Sequence, residues 1–137
     1  MNFKIYRTLL LLFVVNLSFS KDQGQLIISE PEIRILDGSA VVDLKIENAF
    51  EQPINAIRAM VVLSDENGKT IGNKSHWLES GDVSETLDFE SGESRVFPIK
   101  IKTINQAEPA KVNVFITRIV LKDGSKPNLG NSVAKIH

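Results

Sequence analysis

Hydrophobic and polar residues alternate with a period of two along much of the chain, and this alternation predicts β-strands. The longest such run begins at Ile54 and ends in a turn at residues 65–68. The side chains between its apolar positions interrupt any helical stripe. Asp, Asn and Gly tolerate the backbone of a tight turn, so we expect the chain to reverse there as a hairpin. The apolar face of the run consists of Ile57, Ala59, Val61 and Leu63.

Shorter runs with the same alternation follow one another, separated by turn signals about every ten residues. Pro31 and Pro98 each lie within an apolar run. Because proline lacks the N–H that a central strand needs, we expect both at sheet edges or at a crossing between sheets. The further predicted strands span residues 25–28, 32–36, 39–47, 69–72, 95–102, 111–122 and 133–136.

Residues 111–122 carry apolar side chains at both parities of the strand. Val114 belongs to one set and Phe115 to the other. Either both faces of this strand are covered, or a bulge near Thr117 and Arg118 switches the face that is buried.

No segment shows a sustained period of 3.6 residues, so the pattern indicates an all-β protein. Seven to eight short strands with frequent turns are typical of a two-sheet antiparallel sandwich of the immunoglobulin-like type. The chain has no cysteine. The expected likeness to antibody domains therefore concerns the architecture alone.

The first twenty residues resemble a secretory signal peptide. Lys4 and Arg7 precede an apolar run at residues 9–15, and Ser18 and Ser20 occupy the positions that a signal peptidase reads. A retained membrane anchor is the alternative, but a span needs about 20 apolar residues. We expect residues 1–20 to be removed, leaving one exported domain, 21–137, in the periplasm or outside the cell, without a stable membrane span.

Composition narrows the possible functions. The absence of cysteine excludes a thiol nucleophile, a thiolate metal site and thiol redox chemistry. Maturation removes Lys4 and Arg7 and no acids, which leaves 14 basic and 17 acidic groups, a net charge of −3. Because nucleic-acid binding depends on clustered cations, we expect no nucleic-acid partner.

Catalytic and cofactor chemistry finds little support in the sequence. The histidines are His76 and His137, and neither lies in a nucleophile motif, so we expect no enzyme activity and no cofactor. Residues 79–93 contain six acids and no Lys or Arg, an oxygen-rich stretch that calcium favours. Since the spacing matches no calcium loop, a solvated loop is the preferred interpretation. The calcium candidates are Asp82, Glu85, Asp88 and Glu90.

The most specific hypothesis concerns the back of the strand that begins at Ile54. Arg58, Met60 and Val62 face away from the predicted core, and the second apolar face of residues 111–122 would extend this patch. Exposed apolar surface of this kind favours a protein partner or self-association. The alternative is that residues 48–53 cover the patch. Trp77 is either a core residue, which we favour, or a platform for a sugar or a partner.

Parts of the chain resemble the FxLYD domain family and its relatives, which are Ig-like domains of exported bacterial and archaeal proteins. Leu63 and Asp65 match the motif that names the family, whereas Val61 replaces its Phe and Ser64 replaces its Tyr. The resemblance implies an accessory domain of the cell envelope, without catalytic residues. The resembling runs are residues 41–48, 57–65, 89–97 and 112–124.

Two functions are therefore expected. The first is a non-catalytic binding or assembly module of the cell envelope that docks a protein through a sheet face or a strand edge. The alternative is a module that binds calcium or a surface glycan through the acidic 79–93 loop or Trp77.

Overall fold

The computed structural model describes residues 24–78 and 86–136, and it confirms the two-sheet antiparallel sandwich of eight strands. A 3₁₀ turn at Ile104–Gln106 and a short helix α1, Leu129–Ser132, complete the described elements. The strands are β1 (Leu26–Ile28), β2 (Glu32–Leu36), β3 (Ser39–Asn48), β4 (Ile54–Ser64), β5 (Thr70–Trp77), β6 (Ser94–Ile101), β7 (Lys111–Leu121) and β8 (Val133–Lys135).

The larger sheet has five strands arranged around β3. β6 pairs with one side of β3, and β1 and β2 pair with successive parts of its other side. Pro31 lies in the break between β1 and β2. Both strands belong to the larger sheet, so Pro31 marks no crossing between sheets; it immediately precedes β2, which is an edge strand, and this agrees with the other predicted alternative. β8 pairs with β1 in parallel, and this is the one parallel pair among the described strands.

The smaller sheet has three strands in the order β5-β4-β7, with β4 at its centre. The predicted hairpin joins β4 to β5. Asp65 Oδ1 accepts hydrogen bonds from the backbone N–H groups of Asn67 and Lys69, at 2.9 Å each. Gly68 adopts a φ of +80°, which only glycine enters freely.

The core lies between the two sheets and is built from the predicted alternating positions. All four apolar residues of the β4 face are fully buried, and Phe89 and Phe97 meet edge to face with ring centroids 5.9 Å apart. Phe50 is 6 % exposed. The opposite core face is supplied mainly by Leu26, Ile28, Ala40, Val42, Leu44 and Ile46.

The predicted bulge is present in β7. Its register with β4 runs from Arg58 opposite Arg118 to Ala59 opposite Ile116, so Thr117 is the extra residue. The bulge shifts the buried parity of β7, which explains why Val114 and Ile119 both face the core although they differ in parity.

Three local expectations need correction or lie outside the described residues. The strand predicted at 69–72 continues to Trp77, because neighbouring β4 supplies a ladder for its polar residues as well. Residues 129–132, where the sequence predicted no helix, form α1, and the Asn128 side chain caps its first turn. The predicted signal peptide at residues 1–20 lies outside the described residues. In the described segments, no helix has the length and apolar character needed to cross a membrane.

Candidate functional site

The outward-facing surface of β5-β4-β7 brings together the residues that the sequence proposed for docking. We call this surface, formed by Arg58, Met60, Val62, Trp77 and Phe115, the outer face. Met60 lies opposite Phe115 on β7. Arg58 lies opposite Trp77 on β5. Directly opposed residues share a face of the sheet, so the register makes these side chains neighbours.

Trp77 lies on the outer face, so the favoured expectation of a core tryptophan is wrong. Its side chain is 41 % exposed, and the Arg58 guanidinium carbon lies 5.7 Å from its ring centroid. The cause is a register shift in β5, where Ile71 is an extra residue between the β4-paired Thr70 and Gly72, so that the buried parity changes after it. His76, the preceding residue, lies opposite the core residue Ala59 and is half-buried, which turns Trp77 outward.

Phe115 adds a second exposed aromatic ring at the other side of the outer face. It is 46 % exposed, and the Lys135 ammonium nitrogen lies 5.4 Å from its ring centroid. The sequence placed Phe115 on the second apolar face of its strand but did not single it out as a docking residue. Asn113 has the same parity as Phe115, and its polar side chain indicates that this parity of the strand faces outward.

The loop at residues 48–53 does not cover the outer face. Gln52 exchanges two hydrogen bonds with Asp123, which places the loop at the Ile54 end of β4. Met60 is six residues further along the strand, about 20 Å away at the rise of an extended chain. Met60 and Val62 are half-buried by their neighbours in the sheet and remain partly accessible on β4.

The strands that form this surface carry charge of one sign. Arg58, Lys74, Lys111 and Arg118 lie on β4, β5 and β7, and these three strands contain no Asp or Glu. The whole chain, in contrast, has a formal net charge of −1. The strands of the larger sheet also carry basic residues, but they include Glu32, Asp43 and Glu47 as well, so the smaller sheet has the more positive net charge of the two.

The calcium candidates are not brought together as a site in the described residues. Asp82 and Glu85 lie outside the described residues, and Asp88 and Glu90 are exposed. No group of three or more potential metal ligands occurs within residues 24–78 and 86–136.

The described end of the acidic stretch is organised by an arginine. Arg95 Nε donates to Glu93 Oε2 at 2.6 Å, and its two terminal nitrogens donate to the carbonyls of Leu87 and Asp88 at 2.8 Å. The Arg95 guanidinium also packs 5.1 Å from the Phe89 ring centroid. Hydrogen bonding to Arg95 lowers the pKa of Glu93 below its ordinary value. The Glu93 carboxylate therefore serves to hold this turn.

Comparisons with known proteins give no functional assignment for these residues. No family model matches the chain, and no curated protein matches it. The resemblance to FxLYD domains stays a prediction.

Proposed function

We propose that the protein is an exported, non-catalytic binding module that docks a protein partner through the outer face of β5-β4-β7. The observation that carries the proposal is the pair of exposed aromatic rings, Trp77 on β5 and Phe115 on β7, with the half-buried Met60 and Val62 on β4, the strand between them. Aromatic residues, Met and Arg are enriched at protein interfaces, and their apolar surface gains most when a partner removes it from water.

The positive charge of these strands supports the same proposal. Arg58 stacks near Trp77 without an ion-pair partner among the described residues, so its charge is available to an acidic group of a partner. A charged group at the rim of an apolar patch accelerates association and fixes orientation. We accordingly expect the partner to present an apolar surface bordered by Asp or Glu.

The Met60→Asp substitution tests the outer face. Burying an unpaired carboxylate at the centre of the interface should weaken partner binding about tenfold or more, because central contacts carry most of the affinity. The matched control is Val96→Asp, which places the same group on the larger sheet, where Val96 is 59 % exposed. Cross-linking in the host cell followed by affinity capture, with each variant as bait, measures the difference.

Circular dichroism and thermal melts of both variants establish that the fold is retained. Loss of a discrete cross-linked species with Met60→Asp and its retention with Val96→Asp is the expected result. Equal capture by all three proteins, together with an unchanged oligomeric state, would refute docking through the outer face.

A second candidate function is glycan binding at Trp77, and the exposure of its indole ring is the observation that favours it. A thermal-shift scan against glycans, with a calcium titration alongside, separates this candidate from protein docking. A ligand stabilises the state that it binds. A rise in melting temperature with a glycan that disappears in Trp77→Ala would favour sugar binding, and a rise with calcium would favour the acidic loop.

A further inference from the structure

The free edge of β7 is a second feature of the smaller sheet, distinct from its outer face. Among the described strands, β7 pairs with β4 alone, so no described strand pairs with its opposite edge, although α1 lies close to β7 near Leu121. β7 is eleven residues long. In an antiparallel pair, alternate residues direct their N–H and C=O groups away from the partner strand. The edge therefore presents a row of backbone donors and acceptors that an additional strand would satisfy.

A groove of about 470 Å³ runs beside the first half of this edge. One wall is the start of β7, including Val112 and Val114, and the other is the bend between β1 and β2, including Ile28 and Ile33. Ile136, which is 55 % exposed, lies at its end. The volume falls within the 300–1,000 Å³ that is usual for ligand sites. The apolar side chains that line the groove can contact apolar side chains of a bound ligand.

The groove exists because the two sheets do not cover each other on this side. Ile33 and Ile35 on β2 lie opposite Val42 and Ala40, which are fully buried core residues, so both isoleucines belong to the inner face of the larger sheet. Ile35 is nevertheless 56 % exposed. A strand added beside β7 would extend the smaller sheet over these side chains and bury them.

The charged side chains that β7 itself contributes to the edge are all positive. Lys111 and Arg118 lie on β7, and the Lys135 ammonium reaches the ring of Phe115. Within the described segments, none of these three cations has an ion-pair partner. The edge thus combines backbone groups that no described strand pairs with, a partly apolar groove whose far wall includes Glu30, and cations of β7 and β8 that have no ion-pair partner in the described segments.

We propose that the β7 edge binds one extended segment of a partner protein, which adds a fourth strand to the smaller sheet. The inference rests on the proposed function and names the partner's chemistry. The segment carries apolar side chains at every second residue, which enter the groove, and acidic side chains at the intervening positions, which face Lys111, Arg118 and Lys135. Only a polypeptide supplies alternating donors and acceptors for the edge. A nucleic acid would satisfy the cations but leave the backbone groups unpaired.

The test uses the purified protein and a synthetic eight-residue peptide that alternates valine with glutamate. The same peptide with methyl groups on its amide nitrogens at every second residue cannot form the ladder from that edge. Both N-methylation phases are synthesised, so that one of them blocks the hydrogen-bonding edge whichever way the peptide lies. Further probes are a peptide in which lysine replaces glutamate and an eight-nucleotide oligothymidine.

The readouts are affinity by calorimetry and amide hydrogen exchange. We expect the valine–glutamate peptide to bind, one N-methylated form to bind at least tenfold more weakly, and the amides of residues 111–115 to gain protection. Lys111→Glu with Arg118→Glu should weaken binding about tenfold, since each exposed ion pair contributes up to about 1 kcal/mol. Ile136→Ser should also weaken binding. Lys45→Glu with Lys100→Glu, the same charge change at exposed positions of the larger sheet, should not.

Each contrary outcome has a defined meaning. Equal binding of all N-methylated forms, or binding that survives the Lys111 and Arg118 changes, overturns the edge proposal. Preferential binding of oligothymidine overturns it in favour of a nucleic acid. Self-association of the protein that Lys111→Glu abolishes assigns the edge to a second copy and overturns the acidic segment. If the peptide does not bind but Met60→Asp still blocks partner capture, the edge proposal is wrong and docking through the outer face is retained. If the peptide binds as expected but Met60→Asp has no effect on capture, only docking through the outer face is refuted.

Discussion

Replacing Asn48 with alanine is the sharpest single test of how the sandwich closes at the Ile54 end. Asn48 is fully buried. Its Nδ2 donates to the carbonyls of Gln52, at 3.1 Å, and Phe89, at 2.9 Å, and its Oδ1 accepts from the Phe50 N–H at 2.9 Å. The side chain thereby joins the loop after β3 to the segment before β6.

The magnitude follows from these three bonds. Each contributes about 1 kcal/mol net, and a buried group left without a partner costs about 1–3 kcal/mol. The Phe89 carbonyl keeps a second donor, the Ile54 N–H at 2.8 Å, whereas the Phe50 N–H is left without a protein acceptor. We therefore expect Asn48→Ala to lower the free energy of unfolding by about 3 kcal/mol, a large share of the 5–15 kcal/mol typical of a domain.

Urea denaturation followed by far-ultraviolet circular dichroism measures this loss as a shift in midpoint at constant slope. Asn73→Ala, the same change at an exposed position of β5, is the control and should stay within about 0.5 kcal/mol. Asn48→Asp keeps the acceptor but buries a charge beside two carbonyls, so it should cost at least as much as alanine. A loss below about 1 kcal/mol for Asn48→Ala would refute the reasoning.

Three further predictions concern the same end of the molecule. Arg95 lowers the pKa of Glu93, so the Glu93 carboxylate stabilises the fold at pH values above its ordinary pKa near 4.5. This contribution disappears as the pH falls through the lowered pKa. The stability difference between wild type and Glu93→Gln, from urea titrations at pH 7, 5, 4 and 3, should shrink below pH 4.5; a constant difference would contradict it. Phe89→Ala should cost about 3–5 kcal/mol in the same assay, since the ring is fully buried. Gly92→Ala should lower the free energy of unfolding by about 1–2 kcal/mol, because the φ of Gly92 is +81°. An unchanged free energy of unfolding would contradict this prediction and show that the turn can change its conformation.

The period-two pattern predicted the faces of the strands well, because burial acts on each side chain at its own position. The fully buried set on β4 and the extra residue Thr117 in β7 both follow from parity. The same pattern did not predict the strands' lateral neighbours. A sheet edge depends on which strands meet, and nothing in the alternation of residues 133–136 indicates that β8 joins β1 and leaves β7 free.

The candidate site was predicted in part. Arg58, Met60 and Val62 were placed outward by parity, and the structure puts them there. Trp77 was assigned to the core because a lone tryptophan in a sandwich is usually buried. Its parity in the sequence supported the same answer, since Trp77 lies six residues after the buried Ile71. The register shift at Ile71 changes the buried parity of β5 and turns Trp77 outward, and the alternation of residues gave no sign of it. The net positive charge of the smaller sheet could not be predicted from the sequence, because it depends on which strands belong to that sheet.

The parallel pairing of β1 with β8 has a mechanical consequence. Leu26 lies beside Val133 and Ile28 beside Lys135, so the two strands run in the same direction. Tension applied at residues 24 and 136 in opposite directions therefore slides one strand along the other and strains all of their cross-links together. An antiparallel pair pulled apart at one end would instead open one bond at a time. A pull between these two residues is therefore opposed by all of the β1–β8 bonds at once, while β3 holds β1 from the other side.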